Sequence, residues 1–351
     1  MPQRKERRHE REACPMSTLD FSLPVIWALL IGTAVALYVV LDGFDLGVGI
    51  LFPFFREEAE RDLMMNSVAP YWDGNETWLV LGGGGLWVAF PLAYSIIMPA
   101  LYLPVITMLL ALIFRGVAFE FRWTAKPHHR WWDVSFAAGS ILAAFSQGVL
   151  LGGLLQGIRI ENFEFSGGTF DWLTPFSLLT GVSLVIGYAL IGACWLVMKT
   201  SGEVEARARR LAAPLLLGLM TAIALVSIAT PWLIPRIAVR WFTMPNLLYM
   251  APVPILTAVA AAWCWRGLRG GSSVQPFLAA VAVFLLAYLG LVISNVPYLV
   301  PPTITVWQAA AAPASQMFVL IGTVMLLPII LGYTVFVYWV FRGKVDHAGY
   351  H

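Results

Sequence analysis

The chain has 351 residues, of which 59% are hydrophobic and 12% charged, and its formal net charge is +2. Soluble domains carry about 25% charged residues, so a chain this poor in charge cannot cover itself with polar surface. A water-soluble enzyme is excluded, and the near-neutral balance gives no basic footprint for nucleic acid.

Uncharged runs give the elements in chain order: 23–41, 77–114, 134–158, 172–198, 211–235, 241–265 and 270–341. About 20 apolar residues cross a bilayer core as a helix. The second and last runs hold two helices each, because Pro91, Pro99 and Pro104 interrupt one and Pro297, Pro301, Pro302 and Pro313 the other. The expectation is an all-α polytopic membrane protein with nine spans. The connections are too short to hold a folded extramembrane domain. The chain therefore divides into an N-terminal tail at 1–18, a membrane domain at 19–345 and a C-terminal tail at 346–351.

Loop charges orient the spans. If the spans alternate, one side receives Arg56, Arg61, Arg122, Lys126, Arg130, Lys199, Arg207, Arg209, Arg210, Arg266, Arg269, Arg342 and Lys344. Between spans, the other side receives Arg159, Arg236 and Arg240. The positive-inside rule puts the first set and the C-terminus in the cytoplasm and the N-terminus outside. Arg4, Lys5, Arg7, Arg8 and Arg11 contradict that assignment, and Met16 opens a more ordinary lead into a first span. Residues 1–15 therefore read as an upstream-start extension or a tail, with a genuine basic N-terminus as the alternative. Tryptophan and tyrosine recur near span ends, at Trp123, Trp132, Trp172, Trp232, Trp241, Tyr298, Trp307, Tyr338 and Trp339, as interfacial anchors.

Cys14, Cys194 and Cys264 lack paired spacing, which argues against a redox motif or zinc finger and for apolar filling. His9, His128, His129, His347 and His351 all lie in tails or one loop. No imidazole is available inside a span, so this chain is not expected to bind haem or another metal by itself.

The charges that do enter the membrane gather in the first three spans. Asp42 and Asp45 stand three residues apart near the end of the first, and Asp73 and Glu76 stand three apart at the start of the second. That spacing puts each pair on one helical face. Arg115 and Glu120 close the third span. A charge at bilayer depth costs roughly 2.5–3.5 kcal/mol on insertion scales, so it is rarely kept without a use. Carboxylates at partial depth can exchange protons at neutral pH, which reads the group as a water-lined proton inlet. In that reading Arg115 and Glu120 supply the electrostatic frame; the alternative is a structural ion-pair network in which Arg115 neutralises two of the acids. Gly82–Gly85 reads as a surface for close helix packing, with a narrow apolar passage as the alternative. The stretch 294–316 is uncharged and proline-broken, and reads as a re-entrant element or a rigid connection.

The segments LDGFDLGVGIL, NSVAPYWDGNETWLVLGGGG, FRGVAFEFR, VPPTITVWQAAAAPASQ and LPIILGYTVFVYWVFRGKV closely resemble subunit II of bd-type quinol oxidases, particularly the cyanide-insensitive branch. The resemblance runs in order from about residue 19 to residue 345. It implies two four-helix bundles plus a peripheral ninth helix. It also implies a heterodimer with a subunit I that carries haems b and d and oxidises quinol, and an added small single-helix subunit in some complexes. Such a complex sits in the bacterial inner membrane, reduces O2 to water and is electrogenic without pumping; this subunit would be inactive alone. The resemblance links Asp73, Asp42 and Asp45 to a cytoplasmic proton path. Some members route O2 near the tryptophan that is Trp78 here, or hold a structural quinone, and these features vary among members. Gln308 departs from the acidic residue that many relatives carry in the same segment. A proton-coupled secondary transporter is the competing class, but it predicts acids in both halves, and 270–341 has none.

Overall fold

The computed structural model of the protein describes residues 18–125 and 129–345, with side chains of the first helix from Ser22 onward. The basic N-terminal residues, Cys14, Lys126, His128 and the tail 346–351 lie outside the described residues, and with them the question of a start at Met16.

Helix α1 (Thr18–Leu51) leads through a 3-10 turn, Phe52–Phe54, to α2 (Glu58–Val68). Next come α3 (Trp72–Ala89) and α4 (Pro91–Ala100), which meet at a bend of 119°. Phe90 at the bend has φ −135° and ψ 60°, because the ring of Pro91 disfavours a helical residue before it. With 1.5 Å of rise per residue, α3 is about 27 Å long and nearly crosses the bilayer core alone. Helices α5 (Tyr102–Thr124) and α6 (Arg130–Gln156) follow, then a hairpin of β1 (Ile160–Glu161) and β2 (Glu164–Phe165). The second half contains α7 (Pro175–Lys199), α8 (Gly202–Leu233), the short α9 (Pro235–Phe242) and α10 (Asn246–Met250), α11 (Pro252–Arg269) and α12 (Gln275–Asn295). A second hairpin of β3 (Tyr298–Val300) and β4 (Ile304–Thr305), a turn of helix α13 (Val306–Ala309) and α14 (Pro313–Val340) complete the chain.

Eight of these units are long and apolar enough to cross a membrane, and counting α3 with α4 as one bent span gives nine. The expected count is met, with the second span broken at Pro91 rather than continuous. One group of packed helices is α1, α3, α5 and α6, and the other is α7, α8, α11 and α12. Helix α14 leans on α1 and α3 from outside. None of its most apolar stretch is buried within the protein, whereas 67% of that of α7 is, so α14 is the peripheral ninth span and α7 the centre.

The two groups meet where α1 crosses α7 with backbone against backbone. A Cβ added to Gly47 would stand 1.9 Å from the Tyr188 carbonyl oxygen, and one on Gly192 would stand 2.3 Å from the carbonyl carbon of Gly47. Only glycine allows that approach. Gly47→Val is therefore expected to force the helices apart and destabilise the protein by about 3 kcal/mol, the upper part of the overpacking range. Thermal unfolding of the purified protein reads the loss, and an unchanged midpoint would contradict so close a crossing.

The tetraglycine run packs as expected on one side only. Added Cβ atoms on Gly82 and Gly85 would meet Val35 at 3.5 Å and Ile31 at 3.0 Å on α1, whereas Gly83 and Gly84 have nothing within 4 Å. The proline-broken connection 296–312 forms the β3–β4 hairpin and α13. Gln308 there closes a capping box: its backbone N–H donates to Thr305 Oγ1 at 3.4 Å, and its Oε1 accepts from the Thr305 N–H at 2.9 Å. Either glutamine or glutamate serves that role, so the departure at Gln308 leaves the local fold intact.

Candidate functional site

Three elements bring the intramembrane charges together. Asp42 and Asp45 on α1 and Arg115 on α5 are fully buried. Arg115 Nη2 donates to Asp42 Oδ1 at 2.6 Å and lies 3.9 Å from Asp45 Oδ2. Its Nη1 donates to Glu76 Oε1 on α3 at 2.7 Å, and the Glu76 side chain is 29% exposed. Asn75 Nδ2 donates to Asp45 Oδ2 at 2.7 Å, the oxygen that also faces Arg115, and to the Leu41 carbonyl at 3.1 Å, while Asp45 Oδ1 and Asp42 Oδ2 are buried without a partner among the described residues. Trp72 and Phe119 stack at 4.9 Å and shield the guanidinium, which stands 5.8 Å and 5.6 Å from their ring centres. Asp73, in the first turn of α3, is exposed.

Two further layers extend this cluster. Tyr38 lies one turn before Asp42 on α1, and its hydroxyl accepts from Gln147 Nε2 on α6 at 2.8 Å. Gln147 Oε1 in turn accepts from the Tyr188 hydroxyl on α7 at 2.8 Å. On the other side, the Tyr338 hydroxyl of α14 donates to Asn75 Oδ1 at 3.0 Å. Trp78 is 2% exposed and packs with Ala34 and Tyr38, its indole N–H buried without a partner among the described residues. Hydrogen-bonding groups thus run from exposed Asp73 and half-buried Glu76, through Arg115 and the buried aspartates, to the junction of α1, α6 and α7.

Of the two residues expected to frame the acids, Arg115 stands within the cluster and Glu120 does not. Arg115 pairs with Asp42 and Glu76, and Glu120 is exposed. Five residues turn a helix by about 140°, so the two side chains leave α5 on different faces. A second buried arginine, Arg122, stands two turns after Arg115 and does have acids around it. Its Nε donates to Asp133 Oδ1 at 2.7 Å and its Nη1 to Asp62 Oδ1 at 2.5 Å, while Arg61 Nη1 meets Asp133 Oδ2 at 2.9 Å. This ion-pair group ties α2 to α5 and α6 beside the cluster. Tyr338, expected as an interfacial anchor, belongs instead to the hydrogen bonds at Asn75. Lys199, expected in a cytoplasmic loop, is 3% exposed and donates to the Tyr71 hydroxyl at 3.0 Å, the Gly343 carbonyl at 3.1 Å and the Phe341 carbonyl, fixing the end of α14.

Fold and site together define a polytopic, all-α membrane protein that keeps an arginine-centred acid cluster at the face bearing most of its basic loops. The family model for cytochrome bd terminal oxidase subunit II matches residues 23–341, and the chain belongs to that family. It is 32% identical over 365 residues to cytochrome bd-I ubiquinol oxidase subunit 2 of Escherichia coli K12, covering 92% of this chain and 95% of that protein. It is 28% identical over 337 residues to cytochrome bd ubiquinol oxidase subunit 2 of Bacillus subtilis, covering 93% and 98%. The fold resembles the bd oxidase structure from Geobacillus thermodenitrificans, with a TM-score of 0.74 at 17% identity over 91% of this chain and 98% of that one. These relatives are subunits of an oxidoreductase complex, which sets aside the transporter reading.

Proposed function

We propose that this chain is the haem-free second subunit of an inner-membrane terminal oxidase that reduces O2 to water with electrons from quinol. In this reading it braces subunit I and brings protons to it from the cytoplasm. One observation carries the proton path: three carboxylates, Asp42, Asp45 and Glu76, face a single guanidinium in a largely buried site. A proton entering that site offsets negative charge that Arg115 alone does not balance, and burial makes such an offset valuable. Asp73 is the mouth, Glu76 the first acceptor, and Asp42 with Asp45 the relay. Tyr38, Gln147 and Tyr188 offer the next hydrogen-bonding groups inward.

The basic loops beside the cluster support its placement on the cytoplasmic side, with the N-terminus outside and the C-terminus inside. The sequence supports a haem-free role, because none of its five histidines falls within the uncharged runs that form the spans. Haems b and d therefore belong to subunit I. A structural quinone, a small single-helix subunit and an O2 route near Trp78 enter this reading as variable features of the family, and no step depends on them. The complex builds a field by taking protons from one side without pumping, and this subunit is inactive alone.

The test begins with purification from the native membrane. A haem-bearing subunit is expected to co-purify, and the complex to consume O2 with quinol; absence of a haem partner would contradict the oxidase assignment. Asp73→Asn is expected to slow O2 uptake several-fold while leaving the complex assembled. Full turnover in that variant would remove Asp73 from the path and leave the subunit assignment standing.

A further inference from the structure

The end of the molecule opposite the acid cluster holds two cations with no acid beside them. Arg236 and Arg240 stand four residues apart and share one face of α9. Arg236 Nη2 donates to the Leu155 carbonyl at 3.0 Å and to Asn295 Oδ1 at 3.1 Å, and its Nη1 to the Ser294 carbonyl at 3.4 Å. Arg240 Nη1 donates to the Ile293 carbonyl at 2.8 Å and to the Val296 carbonyl. Arg236 thus meets the C-terminal ends of both α6 and α12, and Arg240 that of α12, where the helix dipole places roughly half a negative charge each. Two guanidinium groups against two helix ends leave about one positive charge unbalanced. Among the described residues neither arginine pairs with a carboxylate; the charged or ionisable groups that act on Arg236 are Arg240 and Tyr298. The bonds of Arg236 run through Nη1 and Nη2 and those of Arg240 through Nη1, all to neutral acceptors rather than to a carboxylate.

The surroundings specify what those donors meet. On the exposed side of α9, Val239 flanks Arg236 three residues on and is 62% exposed, Phe242 is 61% exposed, and Trp232 at the end of α8 is 86% exposed. A short helix that shows exposed apolar residues beside half-buried arginines suits the membrane interface, at headgroup depth. We propose that Arg236 and Arg240 form a binding site for the phosphate of an anionic phospholipid, whose chains run over Trp232, Val239 and Phe242. The planar guanidinium fork matches a phosphate, and an anionic headgroup supplies the missing charge. A zwitterionic headgroup carries its own ammonium and does not. The inference rests on the membrane-spanning fold and not on the proton path, so the two fail separately.

Native mass spectrometry of the intact complex in mixed micelles of phosphatidylglycerol and phosphatidylcholine, at equal amounts, tests it. The wild type is expected to retain phosphatidylglycerol with roughly tenfold or greater preference, since an interfacial arginine contributes on the order of fivefold. The double variant R236Q/R240Q is expected to fall close to parity, and R240K, which keeps the charge but not the planar fork, to fall between the two. Equal retention of the two lipids by the wild type would overturn the proposal without recourse to any variant. Loss of phosphatidylglycerol to excess inorganic phosphate would overturn it as well, by showing a free-anion site. If R236Q/R240Q does not assemble, R240Q alone is read, and a preference as strong as that of the wild type counts against the site.

Discussion

Arg115→Met is expected to prevent normal accumulation of the protein, at a cost of about 3–5 kcal/mol, the range for removing one partner of a buried ion pair. The reason is the company Arg115 keeps. Asp42 and Asp45 are both fully buried, and the guanidinium stands 2.6 Å from one and 3.9 Å from the other. Without it, two aspartates remain in a low-dielectric site with only neutral donors, Asn75 bonded to Asp45 at 2.7 Å and the Tyr38 hydroxyl beside Asp42. Methionine fills the volume, so the loss is electrostatic rather than a cavity. Adding Asp42→Asn to Arg115→Met removes one of the stranded carboxylates and is expected to restore part of the accumulation. The yield of protein in membranes and its thermal midpoint read both variants. Equal loss in the single and double variants would contradict the charge balance described here.

Asp42→Asn in the wild-type background carries the second large effect. The amide keeps an oxygen for Arg115 Nη2 and nearly the same volume, so assembly is expected to persist. What it loses is the ability to hold a proton. Quinol-dependent O2 uptake is expected to fall about tenfold, a conservative figure for loss of a proton-transferring side chain. Asp42→Glu, which restores a titratable group, is expected to recover part of the rate, whereas a purely structural role would favour the isosteric asparagine over the longer glutamate. The apparent affinity for quinol is expected to stay unchanged, because the affected step is proton delivery rather than substrate binding. Wild-type turnover with Asp42→Asn would take Asp42 off the path.

Much of this architecture can be read from the residues. Spans follow from uncharged runs, and Pro91 marks the place where α3 ends and α4 turns away. The spacing of Asp42 with Asp45 and of Asp73 with Glu76 puts acids at facing helix ends. Which acids Arg115 meets is harder to read, because several carboxylates lie near it in the spans and helical rotation turns Glu120 outward. Its actual partners, Asp42 and Glu76, stand 73 and 39 residues away. The inner layer is less legible still. Tyr38, Gln147, Tyr188 and Tyr338 are ordinary aromatic or amide residues in apolar runs, joined only by helix packing, as in the contact of Tyr338 with Asn75 across 263 residues. Arg122 has a weak signal in its two-turn spacing from Arg115, but its pairing with Asp62 and Asp133 depends on how α2 packs.

The central claim is that protons enter through the cluster around Arg115. The most direct measurement is the voltage generated across a vesicle membrane when the reduced, reconstituted complex reacts with O2 in a single turnover, compared between wild type and Asp42→Asn. A proton path through the cluster predicts that the variant consumes its first O2 but builds voltage about tenfold more slowly, with proton transfer limiting. Voltage of the same rate and amplitude in both proteins would contradict the path and leave the cluster as a structural ion-pair network.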